Sequence, residues 1–271
     1  DGKFFRLNVD GADELASGFP VSRAELFRYR AIVLGSIEAS FFTAEQLMML
    51  RDFVNVRGGG LLFLGGRRSF GEGGYAGTPL AEVMPVVIEG AAVPDEKSFL
   101  ADLAASVTPA GANSAVTQVA ATPEKSVERW RSLPSVTSVN RIVRVKPGAT
   151  TLLAGSVPKQ GRVEDPNGGS TRGYEQPVLA YQRYGRGLAI ALPIQDSWLW
   201  QMHADIPVGD PTYPIFWRQL LRFLTAEVPT RVQATLVNDA VNPKTPVEIH
   251  AAVADSLYGH RNDAQVVAHV V

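Results

Sequence analysis

The sequence predicts an α/β fold: an open parallel sheet with helices on its faces, an antiparallel hairpin at the sheet edge, and a small truncated β-sandwich behind it. Three observations lead there. Between Tyr29 and Leu64 a strand pattern, a capped helix and a second strand pattern follow one another in about 35 residues, the spacing of a βαβ unit. A later strand pattern is broken at Tyr184-Gly185-Arg186-Gly187, as a hairpin would be. After Pro229 the helical period disappears and three β-type runs follow.

The opening segment FFRLNV (4–9) and the stretch YRAIVLGSI (29–37) are short apolar runs of β-branched and aromatic type, suited to strands. Thr43 and Gln46 then have capping-box spacing, and Phe42 can staple onto Leu47. Leu47, Leu50, Phe53 and Val54 recur at helical spacing up to Gly58, which predicts a helix. Leu61 to Leu64 is uniformly apolar, as a strand covered on both faces must be. This strand, helix, strand order predicts a right-handed crossover and a flavodoxin-like sheet.

From 89 to 146 the pattern weakens. VTPAGANSAVTQVAATPEKS is small, polar and proline-containing, and predicts a long excursion across the surface. Order resumes with a strand at ATTLLAGSV (149–157) and the hairpin PVLAYQRYGRGLAIALP (177–193). DPTYPIFWRQLLRFL (210–224) is an amphipathic helix, with Phe216, Leu220 and Leu224 in one stripe and Trp217 and Leu221 beside it. RVQATLV, PVEIHAAVA and AQVVAHVV predict three strands of an immunoglobulin-like sandwich, cut off at Val271. The expected division is 1–228 for the α/β domain, excursion 89–146 included, and 229–271 for the partial sandwich.

Composition excludes several functions. Lys and Arg total 26 against 27 Asp and Glu, a net charge of −1, so no field draws the chain to nucleic acid. With no cysteine there is no thiol nucleophile, disulfide or Cys-ligated zinc. No run approaches the ~18–20 apolar residues of a membrane helix. The sequence opens on Asp1, which reads as a processed or engineered piece of a longer protein.

The stretch GGGLLFLGGRRSFGEGGY (58–75) holds eight glycines in eighteen residues. Gly66 and Gly71 have phosphate-loop spacing, but Glu72 and Gly73 stand where that motif needs a lysine and a hydroxyl, so the phosphate chemistry is missing. Gly71, Gly73 and Ala76 fit a relaxed dinucleotide pattern too far from the strand end to use it. A nucleophile elbow would fall at Gly65 or Gly66, which have no side chain to attack with. Two readings remain: a structural one, close backbone approach and loop shaping, and a ligand of another kind in the crevice at the strand ends.

The order YRAIVLGSI, capped helix, GGGLLFLGG, SFGEGGYAGTPLAEVMPV, ERWRSLPSV, KPGATTLLAGS, PVLAYQRYGRGLAIALP, DSWLW and FWRQLLRFL resembles the glutamine amidotransferase-like domain of bacterial cell-envelope proteins. GGYAGTPLAEVMPV and FWRQLLRFL are the most specific blocks. The resemblance covers 1–228 and implies the class I amidotransferase fold. It also implies a membrane-anchored parent with von Willebrand A-like or immunoglobulin-like neighbours, and ancestry in Cys-His-Glu glutamine hydrolysis. That triad does not carry over: the cysteine position is Gly65 or Gly66, and PIQDSWLW (193–200) lacks the His-x-Glu pair.

The expectation is therefore an inactive amidotransferase-like binding or scaffolding domain of the cell envelope, without a cofactor. Its partners would be proteins or neighbouring domains, or a small molecule. Arg67, Ser69, Tyr75, Asp196, Trp198 and His203 are the candidates for the crevice at the strand ends. Ser69 with His203, or with Glu38 or Asp196, would make a hydrolase of another kind. Arg67, Tyr75 and Trp198 would instead line a sensor pocket, although Trp198 and Trp200 also suit an aromatic cluster under a loop. His250, His260 and His269 lack a zinc spacing, and Asp10, Asp13 and Glu14 read as a helix start more than a calcium loop.

Overall fold

The computed structural model describes residues 5–11, 14–90, 100–157, 174–237 and 247–267. Its strands are β1 (Ala31–Gly35), β2 (Gly60–Leu64), β3 (Val86–Val87), β4 (Leu100–Val107), β5 (Val136–Ser138), β6 (Arg144–Val145), β7 (Thr150–Val157), β8 (Tyr174–Tyr184), β9 (Gly187–Leu192), β10 (Val232–Leu236) and β11 (Ile249–Val253). Seven of them form one mixed sheet in the order β1-β2-β9-β8-β7-β4-β5.

The βαβ unit forms as its local signals require. Thr43 and Gln46 close both halves of the capping box at the start of helix Ala44–Asn55, whose Leu47, Leu50, Phe53 and Val54 are buried. Phe42 and Leu47 lie in the same core. The helix returns the chain to β2, which pairs parallel with β1 from Ala31↔Gly60 to Gly35↔Leu64. β9 pairs parallel on the other side of β2.

The hairpin turns at Gly185 and Arg186, with Tyr184 paired to Gly187. Gly185 has φ +57 and is the only one of the two turn residues in the left-handed region, as the first position of a type II′ turn requires. The hairpin joins the edge of the parallel block through β9, as expected, but it is not the edge of the sheet. Antiparallel β7, β4 and β5 continue beyond β8.

Successive β2 residues face opposite cores. Leu61 and Phe63 meet the layer containing helix Ala44–Asn55, while Leu62 meets the layer of helices Pro123–Ser132 and Thr212–Thr225. Phe216, Leu220 and Leu224 form the buried stripe of the latter helix.

Three expectations change. Residues 5–9 are not a strand; Phe5 and Leu7 are 88% and 84% exposed, and Phe4 lies outside the described residues. The supposed excursion 89–146 supplies β4, β5 and helix Pro123–Ser132, because Leu103, Trp130 and Val136 give it buried anchors that its small polar residues conceal. Behind Pro229, β10 and β11 form a two-stranded antiparallel ribbon, and residues 264–267 carry no strand; 268–271 lie outside the described residues.

Candidate functional site

β1, β2 and β9 point the same way, so the loops after Gly35, Leu64 and Leu192 meet at one sheet edge, where ligands bind in this fold class. Gly65 lies directly after β2, and its N–H donates to Leu192 O at 2.7 Å. A Cβ added there would overlap the Ile194 backbone, and one added at Gly66 would lie 2.7 Å from Ser36 Cβ and Oγ. The elbow positions are therefore closed as well as bare.

A segment without any sequence motif lies against them. Val139 bridges Ile194, and Asn140 N–H donates to Pro193 O at 2.8 Å. The fully buried Asn140 side chain accepts from Gly66 N–H and donates to Gly66 O, both at 2.9 Å. Its Nδ2 also donates to Glu72 Oε2 at 3.0 Å, while Glu72 Oε1 accepts from Arg141 N–H at 3.0 Å. Gln176 Nε2 donates to Asn140 O at 2.6 Å. The one sequence signal for this plug is a lone amide among apolar residues in SVNRIV (138–143).

The glycine loop also shapes the neighbouring rim. Ser69 is buried, and its Oγ accepts from Ser36 N–H at 3.1 Å. Ala39 N–H donates to Gly73 O at 2.8 Å, and Tyr75 OH donates to Ile37 O at 2.9 Å. Burial pushes the Tyr75 hydroxyl pKa well above its ordinary value, so it stays a donor. These three bonds hold residues 36–39 while Ser36 sits at φ +48, a conformation that costs a non-glycine residue energy. Beside this rim lies an open groove of about 260 Å³ lined by Ser36, Ile37, Glu38, Ser40, Phe41 and Arg68.

The structure separates the remaining candidates. Arg67 and Arg68 are exposed, and Arg68 Nη1 pairs with Glu38 Oε1 at 3.2 Å. Asp196 is buried, its Oδ2 accepting from Thr137 N–H and Thr137 Oγ1–H at 2.6 Å each. Trp198 is 49% exposed, whereas Trp200 is buried edge-on against Trp130 and Phe216, the aromatic-cluster outcome. His203 Nδ1 accepts from Asp205 N–H at 3.2 Å on its own turn. No hydrogen bond among the described residues joins Ser69 to His203, Glu38 or Asp196, so the Ser-His hydrolase geometry is not assembled.

His250 lies beside Glu248, and His269 and Asp13 fall outside the described residues. Among the described residues no three His, Cys, Asp or Glu side chains come together as a metal site, and no helix is long and apolar enough to cross a membrane.

No family model matches the chain, and comparison with curated proteins gives no significant match. Two solved structures of Salmonella typhimurium proteins are similar. The cytoplasmic protein STM3548 aligns at TM-score 0.52 and 23% identity, over 76% of this chain and 75% of that one. The cytoplasmic protein STM1381 aligns at TM-score 0.51 and 20% identity, over 76% of each chain. At these identities the likeness is one of fold.

Proposed function

We propose that residues 1–228 form a catalytically inert amidotransferase-like module that binds a ligand or partner, and that the two-stranded β10–β11 ribbon behind it is the start of an immunoglobulin-like segment at 229–271. The observation that carries this reading is the closed elbow. Catalysis from a nucleophile elbow needs a side chain at the turn after its strand, here β2, and space for a tetrahedral centre beside it. Gly65 supplies no side chain, and the Ile194 backbone takes the space. The sequence resemblance supports placing the parent protein in the cell envelope, but the binding role does not depend on the compartment.

The test is release of ammonia from glutamine by the purified chain. No release above buffer is expected, with or without the common divalent metals. Turnover that disappears when Ser36 or Ser69 is replaced by alanine would overturn the reading.

A further inference from the structure

We propose that the groove beside the rim binds a small zwitterion, an α-amino acid with an apolar side chain. This rests on the binding-module reading and names its ligand class. The groove has both charges in place. Glu38 is held from two sides, its Oε1 by Arg68 Nη1 at 3.2 Å and its Oε2 by Ser40 Oγ at 3.0 Å. A carboxylate has about four lone-pair sites, so these contacts leave Glu38 able to accept from an ammonium group. Arg68 touches Glu38 through Nη1, and a guanidinium has five donors in a planar fork that matches a carboxylate.

The apolar part of the ligand has a place as well. Ile37 and Phe41 line the same groove, and Phe41 is 38% exposed, with its ring set edge-on to Phe42 at 5.1 Å. The volume of about 260 Å³ suits a single amino acid and is small for a nucleotide or disaccharide.

The rim is tied by hydrogen bonds to the glycine loop. Three hydrogen bonds from the glycine loop fix residues 36–39, and the left-handed Ser36 turns the chain so that Glu38 and Ser40 face one groove. Backbone strain held by surrounding contacts is characteristic of ligand clamps. A preordered site spends less of its interaction energy on ordering loops.

The experiment is calorimetric titration of the wild-type chain with phenylalanine, N-acetylphenylalanine and phenylalaninamide. Each capped analogue removes one ligand charge and leaves the side chain intact. The expected result is saturable binding of phenylalanine, weakened about tenfold or more by either cap, since each cap removes a charge-assisted hydrogen bond. Glu38→Gln should weaken phenylalanine and phenylalaninamide, which carry the ammonium, more than N-acetylphenylalanine. Arg68→Gln should weaken phenylalanine and N-acetylphenylalanine, which carry the carboxylate, more than phenylalaninamide. Equal binding of all three compounds would overturn the proposal, as would no heat at tens of millimolar phenylalanine. If glutamine hydrolysis is absent in that case, the inert-module reading stands and only the ligand class falls.

Discussion

Asn140 and Gly66 exchange two hydrogen bonds of 2.9 Å, the amide side chain pairing with the glycine backbone as a neighbouring strand would. This pairing carries the hydrogen-bonded network to Gly66, past the end of β2 at Leu64. Asn140→Ala would strand the buried Gly66 N–H, while Gly66 O keeps the bond it accepts from Ser69 N–H at 3.1 Å, at a cost of about 1–3 kcal/mol. Asn140→Asp should be worse at neutral pH, because a carboxylate cannot donate to Gly66 O and would face Glu72. Urea unfolding of both variants checks this; a loss below about 1 kcal/mol in Asn140→Ala would contradict the role of the plug.

Gly65→Cys places a thiol at the turn after β2, yet no glutamine hydrolysis is expected. The new Cβ must displace the Ile194 backbone, and overpacking of this sort costs about 1–3 kcal/mol. The paired measurements are the melting temperature, which should fall, and ammonia release, which should stay at background. A stable, active Gly65→Cys would show that the crevice opens readily.

Arg57 joins the α/β domain to the β10–β11 ribbon. It is 2% exposed; Nε donates to Tyr29 O at 2.9 Å and Nη1 to Pro229 O at 3.1 Å, with Tyr258 stacked 4.3 Å from its guanidinium. Burial lowers the Arg57 pKa without neutralising so basic a group. Arg57→Met should leave both carbonyls short of a donor and forfeit the cation–π contact, worth about 0.5–2 kcal/mol alone. Hydrogen exchange should then quicken in β10, β11 and the turn around Tyr258 while β2 and β9 keep their protection. Unchanged exchange in the ribbon would refute the latch.

The parts of this fold that are legible in the sequence are those fixed by neighbours along the chain. The Thr43–Gln46 box, the Leu47-Leu50-Phe53-Val54 stripe and the Gly185 turn are local, and each forms as its signal predicts. β4 is hidden because LADLAASV alternates weakly and depends on pairing with β7 and β5. The candidate site is hidden for a related reason. Ser69 and Tyr75 stand out for their reactive groups, but their partners, Ser36 and Ile37, lie more than thirty residues away in sequence and use only backbone atoms. No motif records the fit of Asn140 onto Gly66, since it depends on β2, β9 and the 138–142 segment arriving together.

Stability should fall on the alkaline side through Tyr29. Partial burial, and then the hydrogen bond its hydroxyl donates to Glu14 Oε1 at 2.6 Å, push its pKa from 10.0 up to about 12. The folded state therefore holds this proton to higher pH than the unfolded chain. The contribution is complete below pH 10 and is lost between pH 10 and about 12, as the unfolded state ionises first. The same bond lowers the Glu14 pKa, so Glu14's share is present above the ordinary carboxyl range and is lost as pH falls through its folded value. Tyr29→Phe removes the first effect and the largest part of the second, since Asp10 N–H and Arg28 still act on Glu14: its stability should vary less with pH at both ends than that of the wild type. Ultraviolet titration should show Tyr29 ionising late among the seven tyrosines, and loss of one late phase in Tyr29→Phe would assign it. Identical alkaline limbs in the two proteins would mean that folding does not raise the Tyr29 pKa.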